Sequence, residues 1–286
     1  MSVDALPPFV TVTWLRERLD ADPDGLVLVD ARWSLDGSEG LHTYLQGHLP
    51  GAVFVDLDHE LSDPASPEAG RHPLPEPERF ARDLGALGIG HDVPVVAYDQ
   101  GPGVAPARLV WLLRAIGQPA AVLDGGLAAW DGRITSRVPS RSAVQRDPVP
   151  WPNDRLVDGE AVAALTGDPA ALLLDARDPA RYAGDHEPVD PVAGHIPGAR
   201  NAPLAGNLVG GRLRDTDDLR ERYDRLGTFD AEQVVAYCGS GVAACHDLLV
   251  LETLGVRGRL YAGSWSAWSQ VPGAEVERGH DAVGPA

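Results

Sequence analysis

VVAYCGSGVAAC, residues 234–245, is the stretch whose reading decides the fold. Val234–Tyr237 is an apolar run of strand length, Gly239-Ser240-Gly241 is a tight loop, and an apolar helical pattern follows. Glycine permits backbone conformations in which successive N–H groups turn inward, and the positive end of a helix comes next. Such a loop is an anion nest. A cysteine centred on it, Cys238, is expected as thiolate, the nucleophilic form. The competing reading is a structural cysteine closing a buried strand; loop, strand and helix together argue against it.

Working outward, the chain repeats itself once. VVAY at 234–237 already occurs letter for letter at 95–98. VLVDAR at 27–32 answers LLLDAR at 172–177, GHLPGA at 47–52 answers GHIPGA at 194–199, and DGGLAAW at 124–130 answers AGSWSAW at 262–268. Four matches in one order mean a tandem duplication. The expected organisation is a first domain at 1–138, a Pro- and Arg-rich linker at 139–154 and a second domain at 155–286.

Within each copy, short apolar runs at 26–29, 93–98, 171–174 and 233–237 alternate with helical patterns at 108–116 and 247–254. Strands buried on both faces and separated by helices predict an α/β fold, a parallel sheet covered by helices on both faces, in each domain. Ligands of such sheets sit at the carboxyl ends of the strands. Asp99 and Cys238, each just after a VVAY strand, therefore mark the functional edges. A carboxylate is no match for a thiolate as nucleophile, so the first domain is expected to be catalytically silent. Its loop also carries Pro102, which has no N–H, so one donor is missing from any nest formed there, and the proline restricts Gly101 against an inward-turned backbone.

Composition narrows the partners. The net charge is −18, and all 24 basic residues are arginine. Such a chain repels nucleic acid and anionic membranes, so neither is an expected partner. Two cysteines make neither a disulfide framework nor a metal set, and no metal or other cofactor is expected. Residues 1–19 show no basic segment followed by an apolar run, and no stretch approaches membrane-spanning length, which suits a cytoplasmic protein.

With these motifs in hand the chain resembles the rhodanese family over essentially its whole length, as two tandem rhodanese-like domains. It is most similar to the tandem-domain thiosulfate and 3-mercaptopyruvate sulfurtransferases. Thiosulfate-preferring members carry basic residues just after the cysteine, whereas Gly239 and Ser240 are neutral, which points to the mercaptopyruvate branch. The resemblance implies that Cys238 carries a persulfide and that Arg181 binds the substrate carboxylate. It also implies Ser240, Asp58 and His72 at the site. Gly239, Ser240, Gly241, Val242 and Ala243 form the loop that receives the substrate. Two departures stand out: Val189 lies near the place of a second arginine, and Ala243 replaces a threonine. Arg177 and His195 are expected to be scaffold, and Cys245 and Trp265 packing, with a redox role for Cys245 and a place in the cleft wall for Trp265 as the alternatives.

The reaction implied is ping-pong transfer of sulfane sulfur from 3-mercaptopyruvate to a thiol or cyanide, the thiol acceptor being of the kind a thioredoxin-like protein offers. The alternatives are a thiosulfate:cyanide sulfurtransferase and, in a different class, a non-catalytic sulfide-sensing or interaction module. A cysteine phosphatase would need an arginine where Ala244 stands.

Overall fold

The computed structural model describes residues 6–280. Residues 1–5 and 281–286, the outer ends of the two expected domains and the start of the segment read for a leader, lie outside the described residues. The chain forms two compact units. One holds the chain up to Asp63, Leu74–Pro152 and Gly210–Arg212; the other holds Pro64–Pro73, Asn153–Val209 and the chain from Leu213 onward. Contiguous boundaries at 138 and 155 do not anticipate this exchange: Pro64–Pro73 folds with the second unit, and His72 goes with it.

Each unit is built on a five-stranded parallel sheet. In the first the order is Phe9–Val10, Ala120–Leu123, Val95–Tyr98, Val27–Asp30, Val53–Phe54. In the second it is Leu156–Val157, Arg259–Tyr261, Gln233–Tyr237, Ala171–Asp175, Arg200–Asn201. The two VVAY strands are central, and all four of their residues are buried in each case. Sheet residues covered on both faces have no need of polar alternation, which is why these strands read as continuous apolar runs. The helices that follow them, Val104–Ala115 and Ala243–Thr253, are buried almost all round. Among the described residues no helix is long and apolar enough to cross a membrane.

The repeated motifs make the same bonds twice. Asp30 takes the Arg32 guanidinium on both oxygens, and Arg32 Nη2 donates onward to the Gly47 carbonyl at 2.6 Å. Asp175, Arg177 and the Gly194 carbonyl repeat the arrangement at 2.7 Å. His48 stacks on Tyr44 with ring centroids 3.9 Å apart, and His195 on Tyr182 at 3.7 Å. The VVAY tyrosines accept from the next backbone N–H, Tyr98 from Leu49 and Tyr237 from Ile196. Arg177 and His195 are thus scaffold: their counterparts do the same work beside a loop that has no cysteine.

Candidate active site

Cys238 follows the strand Gln233–Tyr237 directly and is buried. Its N–H donates to Ser264 Oγ at 3.1 Å, and its carbonyl accepts from the Trp265 N–H at 2.9 Å. The Gly239 carbonyl accepts from the Ser266 N–H at 2.9 Å. The backbone of the loop is therefore pinned from one side by the segment 264–266. Ser264 is the one non-glycine residue with positive φ among those described, at 52°. The same bonds tie Leu127 to Asp99 and Ala128 to Gln100 in the first unit, where the matching position is Gly126, also at φ 52°.

Gly241 must be glycine. Its φ is +76°, and a Cβ there would lie 2.6 Å from the Ala262 carbonyl oxygen. Leaving this left-handed residue, the chain enters the helix at Val242 and Ala243. Cys245, one turn in and fully buried, donates its thiol to the Gly241 carbonyl at 3.2 Å. That contact is a packing role, as expected.

Around the loop the second unit gathers three polar groups. His72 Nδ1 lies 2.7 Å from Ser240 Oγ, both side chains nearly buried. Arg181 sits on the short helix Pro179–Ala183, whose N-cap Asp178 accepts the Arg181 N–H. A Cβ at Gly239 would be 3.4 Å from Arg181 Nη1 and 2.8 Å from Arg71 Nη2. Both guanidinia thus lie against the residue after the cysteine. Arg181 is anchored by Glu187, with Nε at 3.1 Å and Nη2 at 2.8 Å, and by Asp190 at 2.9 Å. Arg71 is ion-paired with the other Asp190 oxygen.

Burial works against the Glu187 carboxylate, but bonds from Arg181 and from the Asp190 and Val189 N–H groups outweigh it and hold its pKa below the usual range. For Asp190 burial wins over the pull of Arg71, and its pKa is raised. Arg71, Glu187, Asp190 and Ser264 are the residues the sequence reading missed. Glu187 and Asp190 lie where the second copy is longer: His195 comes thirteen positions after Tyr182, against four from Tyr44 to His48. That insertion was the available signal.

Asp58 belongs to the first unit, where its Oδ2 accepts from Trp33 Nε1 at 2.8 Å. Trp265 is fully buried, donates to the Val192 carbonyl and lies under Arg177, whose Cζ is 4.7 Å from the ring centroid. It packs and walls no cleft.

The loop of the first unit corrects one expectation. Despite Pro102, its N–H groups do turn inward: Gly101 at 2.7 Å, Gly103 at 3.0 Å and Val104 at 2.9 Å all donate to the Asp99 carboxylate. Proline removes one donor without unmaking the nest. Burial raises Asp99 to about 6, while these three N–H bonds hold it down. The first copy keeps its anion site and fills it with its own side chain.

Known proteins are similar to this chain along most of its length. A probable 3-mercaptopyruvate sulfurtransferase of Pseudomonas aeruginosa is 43% identical over 279 residues, covering 94% of this chain and 98% of its own. A putative thiosulfate sulfurtransferase of Mycobacterium tuberculosis is 42% identical over 261 residues, covering 90% and 92%. The crystal structure of the 3-mercaptopyruvate enzyme of Escherichia coli superposes with a TM-score of 0.77 at 34% identity, covering 91% of this chain and 99% of that one. The family model for the rhodanese-like domain matches residues 11–133 and again 158–271. The chain belongs to the rhodanese family, with two copies of its domain.

Proposed function

We propose that the protein is a sulfurtransferase that takes sulfane sulfur from 3-mercaptopyruvate onto Cys238 and passes it to a thiol. One observation carries the reading: a buried cysteine, the His72–Ser240 pair and the Arg181 guanidinium meet at a single glycine loop. The relatives named for 3-mercaptopyruvate support the choice of donor. So does the neutral pair Gly239-Ser240, since a compact dianion such as thiosulfate gains most from cations carried by the loop itself.

The Cys238 thiolate attacks the substrate sulfur. The sulfur–sulfur bond forms as the carbon–sulfur bond breaks, and the electron pair of the latter passes into the enolate of pyruvate. Arg181 holds the carboxylate with charge-assisted hydrogen bonds. Ser240, backed by His72, relays a proton toward the enolate carbon, so that pyruvate leaves neutral at that atom. The N–H groups of Gly239, Ser240, Gly241, Val242 and Ala243 stabilise the persulfide anion left on Cys238. A second thiol, of the kind a thioredoxin-like protein presents, removes the outer sulfur and restores the enzyme in the cytoplasm. The first domain takes no part in the transfer.

Intact-mass measurement after exposure to 3-mercaptopyruvate tests the reading. Wild type is expected to gain one sulfur and Cys238→Ser none. An adduct that survives in the variant would move the chemistry away from Cys238.

A further inference from the structure

Ser266 is buried and bonds in two directions. Its N–H donates to the Gly239 carbonyl at 2.9 Å. Its hydroxyl accepts the Arg71 N–H at 3.0 Å and donates to the Gly263 carbonyl at 3.0 Å. Residues 71 and 239 each stand one position before a member of the His72–Ser240 pair, whose polar atoms are 2.7 Å apart. The stretch that brings His72 is seated on this same serine. Ser66 and Gly70 exchange backbone bonds at 3.2 and 2.8 Å, which closes 66–70 into a tight turn. Gly70, at φ +85°, lies so close that a Cβ there would be 2.6 Å from both the Gly263 carbonyl oxygen and Ser266 Oγ.

The first copy supplies the contrast. Matching DGGLAAW to AGSWSAW puts Ala128 where Ser266 stands. The Ala128 N–H keeps the bond to the loop, donating to the Gln100 carbonyl at 2.9 Å, but the residue has no hydroxyl. Gly210–Arg212, which folds with the first unit, meets the matching turn through the Arg212 stem, whose Cγ is 3.2 Å from where a Cβ on Gly125 would stand. The backbone bond is thus scaffold in both copies, and the hydroxyl belongs only to the copy that carries Cys238.

We propose that Ser266 is a positioning residue for sulfur transfer, setting His72 against Ser240 by tying the residue before each of them to itself. This inference rests on the reading of His72 and Ser240 as the proton relay that serves Cys238. A relay passes a proton only within hydrogen-bond reach, and Arg71 released from Ser266 takes His72 out of that reach.

The test is a double-mutant cycle on the rate at which 3-mercaptopyruvate persulfidates Cys238 in a single turnover, with Ser266→Ala, His72→Ala and the two combined. Alone, Ser266→Ala is expected to slow the step roughly ten- to a hundredfold, the scale of a relay held about 1 Å out of line. In the His72→Ala protein the same change should cost less than about twofold, because no relay is left to misplace. Alkylation of Cys238 by iodoacetamide should stay at the wild-type rate in Ser266→Ala, whose backbone N–H still holds the loop, and it reports that the variant is folded. Gly70→Ala, which pushes the segment off the hydroxyl from the other side, should give the same coupling to His72. Additive losses in the cycle overturn the proposal, and so does a fall in alkylation that matches the fall in persulfidation. Should His72→Ala by itself leave the rate unchanged, or wild type take no sulfur at all, the underlying reading fails instead, and the two failures are told apart.

Discussion

Ser264 offers a test in which two substitutions separate two physical effects. The residue is fully buried, its φ is 52°, and its hydroxyl accepts the Cys238 N–H while donating to the Tyr261 carbonyl. Ser264→Ala removes the hydroxyl and leaves a buried N–H without its acceptor, at about 1–3 kcal/mol. The left-handed backbone is kept, so its cost is unchanged. Ser264→Gly loses the same bonds but relieves roughly 1–2 kcal/mol of left-handed strain. Against that, glycine loosens the unfolded chain by about 0.4–1 kcal/mol. The glycine variant should therefore be more stable than the alanine variant by about 1 kcal/mol, although it has lost one more atom. Urea unfolding followed by tryptophan fluorescence measures the difference, Trp265 being adjacent and buried. Both variants should transfer sulfur more slowly than wild type, since both free the first N–H of the loop. If the two are equally unstable, the backbone at 264 is not strained. If both match wild type in stability and turnover, the hydroxyl does not hold the loop.

The remaining expectations concern the two loops. Gly241→Ala drives a Cβ onto the Ala262 backbone at φ +76°, where neither side can yield, and should cost roughly 2 kcal/mol or more along with most persulfide formation; near-normal values would remove the steric argument. Asp99, raised from 3.8 to about 6, keeps in the native state a proton that the unfolded chain gives up, so folding stability should fall as pH rises from about 4 to about 6 and then level off. The loss is on the order of 3 kcal/mol, and Asp99→Asn should lack this slope in unfolding measured between these pH values; identical slopes would place the titration elsewhere. Asp99→Cys combined with Cys238→Ser should give a thiol at 99 that alkylates more slowly than an ordinary exposed cysteine, because burial there outweighs the three N–H groups that face it. The same protein should turn over no 3-mercaptopyruvate, since Thr43, just before Tyr44, stands where Arg181 precedes Tyr182; turnover near wild type would refute this account of the silent copy.

The duplication was legible because the repeated letters are buried networks. Asp-Ala-Arg spells a forked ion pair, Gly-His a ring stacked on a tyrosine, and the VVAY tyrosine an acceptor for a loop N–H. Such groups cannot drift without leaving a buried polar atom unsatisfied, so both copies retain them. Cys238, Ser240 and Arg181 were legible by their places relative to that scaffold. Arg71 was not, since it belongs by sequence to the first copy and folds with the second unit. Glu187 and Asp190 were hidden for a different reason: acidic residues in a proline-containing loop read as a solvated turn until their partners are known. The nest in the first loop was misread because Pro102 was taken to hold Gly101 against an inward turn, whereas the Gly101 N–H does face Asp99.

Gly239 beneath Arg71 bears on how donor preference can change in descent. Relatives that favour thiosulfate place a basic side chain directly after the cysteine. In this protein a Cβ at 239 would stand 2.8 Å from Arg71 Nη2, the far end of a flexible side chain, which has to shift to admit it. A basic residue at 239 would therefore compete with Arg71 for the place beside the loop, and Arg71 has to move for the newcomer to fit.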